Sequence, residues 1–132
     1  IEFINDTTAT APSAATEAIN TFLDKNPVVI LGGHDKDLDY SQLINHVIKT
    51  GVKYILLSGS GTEKYIELGL SDENVYEDFE LAVRAAYKMA RDIGGVVLLS
   101  PGTASFGMFK NEFDRGDQFN QIFQKLKNEI EN

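Results

Sequence analysis

Three stretches of this sequence combine residue types that could handle a small charged molecule. The first follows Val96 to Leu99, an apolar run that reads as a buried strand. It stops at the turn cluster Ser100-Pro101-Gly102 and continues through Thr103 and Ser105. A helix-like segment with Lys110, Arg115 and several phenylalanines comes next. A strand that opens into a small-residue loop at its carboxyl end is where open α/β sheets place their ligands. Such a loop can offer backbone N–H groups and hydroxyls to an anion. The second stretch is Gly32-Gly33-His34-Asp35-Lys36, after the apolar strand Val28 to Leu31. Its glycines permit a tight turn and close backbone approach, and Lys36 then projects as a cation suited to a substrate carboxylate. The third is Asn5-Asp6, at the end of a short strand over Ile1 to Ile4.

Each stretch also has a plainer reading. Lys36 fits a solvated loop lysine, and Asn5-Asp6 is a common turn pair. Lys110 and Arg115 fit an ordinary charged helix face. His34 has the titration range of a base or ligand. No second His or Cys stands at metal-ligand spacing, so it reads as a loop residue. His46 reads as a half-buried histidine on a helix. Ser58-Gly59-Ser60-Gly61-Thr62-Glu63 starts like a dinucleotide fingerprint, but Lys64 replaces its third glycine. Thr62 as the N-cap of the following helix accounts for most of that pattern. No G-x-x-x-x-G-K-[ST] phosphate loop is present in the sequence.

The elements that must position these residues alternate strand and helix, which predicts a mostly parallel sheet. Helix patterns run over Ser13 to Leu23, with Pro12 near the start. Another is centred on Leu43, Ile44, Val47 and Ile48 and is stopped by Gly51. Further helices span Thr62 to Leu68 and the face formed by Leu81, Ala82, Ala85, Ala86, Met89 and Ile93. The last carries the stripe Phe119, Ile122, Phe123, Leu126 and Ile130. Asp39 reads as the N-cap of the second helix. Lys53 to Leu57 is a third buried strand, and Val75-Tyr76 is a short strand candidate. Residues 5–12, rich in Thr and Ala, read as the most flexible stretch.

The chain of 132 residues suits one domain. A formal net charge of −8 without a basic patch argues against nucleic acid as a partner. The absence of cysteine removes disulfide frameworks and thiolate metal sites and suits a reducing compartment. No apolar run in the sequence is long enough to span a membrane as a helix. The first residue is Ile1, not methionine, and a strand begins at once, which reads as a piece of a longer protein.

Three segments carry a family resemblance: Phe3-Ile-Asn-Asp-Thr-Thr-Ala-Thr10, Gly32 to Tyr40, and Ser100 to Gly116. In order and spacing the chain resembles the C-terminal domain of the Mur ligases, over nearly its whole length. Within that family it is most similar to the branch that adds D-glutamate to UDP-N-acetylmuramoyl-L-alanine in peptidoglycan synthesis. The resemblance implies a single Rossmann-like three-layer α/β domain, residues 1–132, with a mostly parallel sheet and helices on both faces. It implies the amino-acid-binding part of a cytoplasmic three-domain ligase, inactive as an isolated fragment. In such enzymes ATP and Mg²⁺, held mostly by the other domains, convert the UDP-linked carboxylate to an acyl phosphate. The D-glutamate amine attacks it and phosphate leaves.

By the same resemblance, Lys36 contacts the incoming amino acid, and Ser105 hydrogen-bonds its side-chain carboxylate. Phe106 and Thr10 lie beside the substrate, and Asp6 meets the ATP ribose. Two departures remove expected contacts: Thr8 stands where many relatives carry lysine, and Ala11 where many carry asparagine. Where many relatives read Lys-Asn-Phe-Glu, this chain reads Lys110-Asn111-Glu112-Phe113. The aromatic wall over the substrate then comes from Phe113 or is lost. Nothing here reads as a general base. Three other readings stay open: a Mur-type ligase for a different amino acid, a non-enzymatic Rossmann-like anion-binding module, and a structural or oligomerising domain.

Overall fold

The computed structural model describes residues 1–131. The chain order is β1 (Phe3–Asn5), α1 (Pro12–Phe22), a 3-10 turn (Leu23–Lys25), β2 (Pro27–Leu31), α2 (Ser41–Thr50) and β3 (Lys53–Leu57). Then come α3 (Ser60–Glu67), β4 (Val75–Tyr76), α4 (Phe79–Ile93), β5 (Val96–Leu99) and α5 (Glu112–Glu131). The five strands form one sheet in the order β1-β5-β2-β3-β4. Every pairing is parallel, so the expected mostly parallel sheet is wholly parallel.

Alternate strand residues feed two cores, as the period of two requires. Val29, Leu31, Leu56 and Leu98 pack with α1, α2 and Tyr65 of α3 on one face. Val28, Ile30, Ile55, Leu57, Val97 and Leu99 pack with α4 and α5 on the other. The result is three layers, with helices covering both faces of a buried sheet. Local signals set the ends of several elements. Pro12 opens α1, and Gly51 and Gly94 close α2 and α4 in the left-handed conformation.

Several boundaries and faces differ from the sequence reading. β1 is Phe3–Asn5 rather than Ile1 to Ile4. α3 begins at Ser60 after Gly59, so Thr62 lies inside the helix and is not its N-cap. Its hydroxyl reaches back to the Leu57 carbonyl. Tyr40, not Asp39, occupies the N-cap of α2. Asp39 instead accepts the Ser41 N–H from one residue earlier, at 2.9 Å. α4 buries Phe79, Ala82, Val83, Ala86 and Ala90, whereas Leu81 is exposed. Ile48 and Ile130 are exposed as well. A short helix gives its core face to the sheet, and apolar residues at its margins stay in water.

Candidate functional site

β5 occupies the turning point of the topology. Its outgoing helix, α5, lies on one face of the sheet. The helices that leave its neighbours β1 and β2 lie on the other. Chains that diverge in this way open a crevice at the carboxyl ends of the strands, the usual ligand position in parallel α/β sheets. Three loops meet there: residues 6–11 after β1, 32–40 after β2, and 100–111 after β5.

Backbone hydrogen bonds lace these loops together. The Asp6 N–H donates to the Leu99 carbonyl at 2.8 Å, and the Gly102 N–H donates to the Ala9 carbonyl at 2.7 Å. The Gly32 N–H donates to the Pro101 carbonyl at 3.0 Å. His34 and Ala104 exchange both backbone bonds, at 3.0 and 3.1 Å, as a two-residue antiparallel bridge. Glycine is required at Gly33. Its φ is +143°, and a Cβ there would lie 2.7 Å from the Ala104 carbonyl oxygen and 2.8 Å from Thr103 Oγ1. Residues 5–12 are therefore not a flexible stretch: Thr7 and Ala9 are buried, and Ala9 is bonded to the β5 loop.

Lys36 is exposed in the β2 loop, with no carboxylate within 4 Å among the described residues. The loop beneath it is braced. The Lys36 N–H donates to the Tyr40 hydroxyl at 3.2 Å, and that hydroxyl donates to Asp35 Oδ1 at 2.9 Å. Lys64 Nζ sits 2.6 Å from Asp35 Oδ2. This bond is the largest influence holding the Asp35 carboxyl below its usual range. It raises Lys64 in turn, and burial raises the Tyr40 phenol. Asp35 is thus neutralised within the protein, while the Lys36 charge beside it has no such partner.

Ser105 is 5% exposed. Its carbonyl accepts the Phe109 N–H at 3.1 Å, which closes a turn, and its hydroxyl has no protein partner among the described residues. Phe106 is 61% exposed. Its ring meets His34 edge-on at 5.8 Å. It also lines a cleft of about 360 Å³ with His34, Ser58, Gly59, Glu77 and Met108. Asp6 is half-buried and accepts the Ser100 hydroxyl on Oδ2 at 2.8 Å. Oδ1 has no protein partner among the described residues. Thr10 follows Ala9 on the same loop, and its N–H donates to the Thr8 carbonyl at 2.8 Å.

The structure thus brings Asp6, Thr10, Lys36, Ser105 and Phe106 onto three bonded loops at one edge of the sheet. Phe113 follows the β5 loop directly, one residue after Glu112, whose carbonyl accepts the Thr7 hydroxyl of the β1 loop at 2.6 Å. The Phe113 ring lies on the first turn of α5, 64% exposed, and stacks on no other ring among the described residues. His34 is an exposed loop residue and His46 a half-buried helix residue, as expected. Among the described residues, no group of three or more His, Cys, Asp or Glu could hold a metal ion. Among the described residues, no helix is long and apolar enough to cross a membrane.

Arg115 overturns its reading as part of a charged helix face. It is 0% exposed. Its guanidinium donates from Nε to Thr7 Oγ1 at 3.0 Å, from Nη2 to the Thr7 carbonyl at 2.7 Å, and from Nη1 to the Thr103 carbonyl at 3.3 Å. Burial pulls its pKa down to about 10, so it remains cationic at neutral pH. A sequence signal for this existed. Arg115, Phe119, Ile122 and Leu126 stand at i, i+4, i+7 and i+11, which puts the arginine on the buried stripe of α5. Lys110 precedes α5 and is exposed; its backbone N–H donates to Asp114 Oδ2 at 3.0 Å.

No family model matches the chain. It is 44% identical over 132 residues to the UDP-N-acetylmuramoylalanine--D-glutamate ligase of Roseiflexus sp. (strain RS-1), covering 96% of this chain and 28% of that protein. It is 42% identical over 128 residues to the ligase of the same name from Bdellovibrio bacteriovorus, covering 96% of this chain and 27% of that protein. With the Aquifex aeolicus ligase of that name the identity is 33% over 126 residues, covering 94% of this chain and 30% of the relative. The chain spans less than a third of the length of these relatives. Similarity that runs end to end over this chain, on an α/β domain whose three motif loops converge, establishes that the chain belongs to the Mur ligase family and corresponds to the C-terminal domain of the D-glutamate-adding ligases.

Proposed function

We propose that this chain is the amino-acid-binding domain of a longer, cytoplasmic, ATP-dependent ligase that joins D-glutamate to UDP-N-acetylmuramoyl-L-alanine in peptidoglycan synthesis. One observation carries the reading. The loop residues that match the family's substrate contacts lie on the β5 loop and on the β1 and β2 loops bonded to it, with no partner for the Lys36 ammonium or the Ser105 hydroxyl among the described residues. Lys36 supplies charge to a glutamate carboxylate, Ser105 donates to the other carboxylate, and Thr10 stands nearby. Charge-assisted bonds of this kind give affinity and direction. Direction is the catalytic contribution here, because a correctly aimed amine reacts as if at very high local concentration.

The residues present fit ATP in part. Asp6 keeps Oδ1 open for a ribose hydroxyl while Ser100 holds Oδ2 at 2.8 Å. Among the described residues no group of three or more His, Cys, Asp or Glu forms an all-protein metal cage; Mg²⁺ beside a nucleotide is held largely by phosphates and water. ATP, where bound, supplies activation of the acceptor carboxylate. This chain's own residues bind and orient the amine that follows.

The test is phosphate release by the full-length ligase carrying this domain. Turnover with ATP and UDP-N-acetylmuramoyl-L-alanine is expected to require D-glutamate. Equal turnover without it, or preference for another amino acid, would overturn the assignment.

A further inference from the structure

A buried arginine is ordinarily matched to a carboxylate, because a desolvated charge is expensive. Arg115 has no carboxylate within 4 Å among the described residues. All three of its hydrogen bonds go to neutral oxygens, and those oxygens belong to two different loops. Thr7 stands between Asp6 and Thr10 in the β1 loop, and Thr103 stands two residues before Ser105 in the β5 loop. We infer that Arg115 is a positioning residue: it fastens the loop of Asp6 and Thr10 to the loop of Ser105, so that the nucleotide-side and amino-acid-side contacts keep one geometry. The inference rests on the substrate assignment above.

The neighbouring atoms are arranged for this. A Cβ at Gly116 would lie 2.6 Å from Thr7 Cγ2, so the glycine beside Arg115 lets Thr7 settle against α5. The Thr7 hydroxyl accepts from Nε and donates to the Glu112 carbonyl at 2.6 Å. Asn5 Nδ2 already ties the end of β1 to the Gly116 carbonyl at 3.1 Å. Holding α5 to β1 therefore does not need Arg115. What the arginine adds is the Thr103 carbonyl of the β5 loop. A guanidinium presents several donors in a rigid plane and reaches two segments at once; a lysine ammonium on its flexible stem does not reproduce that.

The experiment compares wild type, Arg115→Lys, Thr7→Val and the double variant in the full-length ligase. Hydrogen exchange is read over residues 6–11 and 102–107, alongside KM for ATP and for D-glutamate and kcat. Arg115→Lys is expected to speed exchange in both loops by about tenfold, the loss of roughly one net hydrogen bond to a charged group. It should raise both KM values by a similar factor and change kcat less. The double variant should cost less than the sum of the two single variants, because the Nε–Thr7 bond is lost in both. Unchanged exchange in either loop overturns the inference, as does a uniform rise along the chain with both KM values unchanged. Should Arg115→Lys fail to fold, Thr7→Val alone must loosen the β1 loop and raise KM for ATP, or the inference falls. Loosened loops with unchanged KM values keep the fastening but overturn the assignment of substrates to these loops.

Discussion

On the proposed reading Lys36 and Ser105 serve the same site differently, and their substitutions should separate. Lys36 is an exposed ammonium whose backbone is fixed by the Tyr40 hydroxyl at 3.2 Å. Lys36→Ala in the full-length ligase removes one charged contact, worth about 1.5–3 kcal/mol. KM for D-glutamate should rise by about 10- to 150-fold, with KM for ATP changed little. Steady-state kinetics with each substrate varied checks this, and an unchanged kcat/KM for D-glutamate takes Lys36 out of the site. On the proposed reading Ser105 acts through its hydroxyl and not as a nucleophile, since among the described residues no histidine side chain is bonded to it. Ser105→Ala should lower activity in part and Ser105→Thr should keep some of it. Mass spectrometry of the enzyme during turnover should find no acyl-serine; a covalent adduct at Ser105 would contradict the assignment.

The loop elements depend on close backbone approach, so their sensitive positions are glycines more than polar residues. Gly33→Ala forces a side chain into a left-handed φ and against the Ala104 carbonyl oxygen and the Thr103 side chain. It should cost about 2 kcal/mol or more and break the His34–Ala104 bridge. The denaturant midpoint measures the first effect and loss of D-glutamate affinity the second; a neutral Gly33→Ala would show that the bridge does not organise the site. A second element-level device joins α4 to α5. Arg84 Nη1 and Nη2 each sit 2.9 Å from Glu129, Arg84 Nε is 3.0 Å from Glu80, and Lys125 Nζ is 2.9 Å from Glu80. Lys125 first and Arg84 second hold Glu80 below its usual range, and Arg84 does the same for Glu129. Depressed carboxylates stabilise above their unfolded pKa and lose that contribution as pH falls through the lower folded value. Glu129→Gln should therefore lower the melting temperature slightly at pH 7, with the difference from wild type closing toward pH 3. These groups face solvent, so the effect is small and screened by salt. A difference that widens in acid would refute the linkage.

At the scale of the whole molecule, the chain closes a core on both sheet faces without a disulfide. The isolated 132-residue chain is expected to fold and not to catalyse. It carries no phosphate loop, and its crevice is one half of a site that is shared, on the proposed reading, with the rest of the ligase. D-Glutamate binding should be millimolar or weaker, about −4 kcal/mol or less favourable, because its charges stay solvated against an open surface. Circular dichroism and thermal unfolding check folding; ATP hydrolysis and calorimetric titration with D-glutamate check the rest. Substrate-dependent ATP turnover or micromolar binding by the isolated chain would show a self-sufficient enzyme.

Sequence alone determined the layer architecture and the candidate ligand loops. Apolar runs such as Val96 to Leu99 bury on both faces only in a parallel sheet, and glycine clusters after strands mark where backbone must turn. These are local rules, readable over a few residues. It also offered Lys36 and Ser105 as candidates, through the turns they follow and the family resemblance of their segments. Tertiary structure decided what local rules do not reach. Thr62 left the N-cap position because the Leu57 carbonyl and the Gly33 N–H take its hydroxyl from across the fold. Leu81 lies off the buried stripe of Phe79, Ala82, Val83, Ala86 and Ala90, which stand at i, i+3, i+4, i+7 and i+11 and face the sheet. Asp6 gained Ser100 as a partner and Arg115 gained Thr7 and Thr103 across separations of 94, 108 and 12 residues. A polar side chain reads as solvated until the oxygens that desolvate and satisfy it are brought together, and only the folded chain brings them.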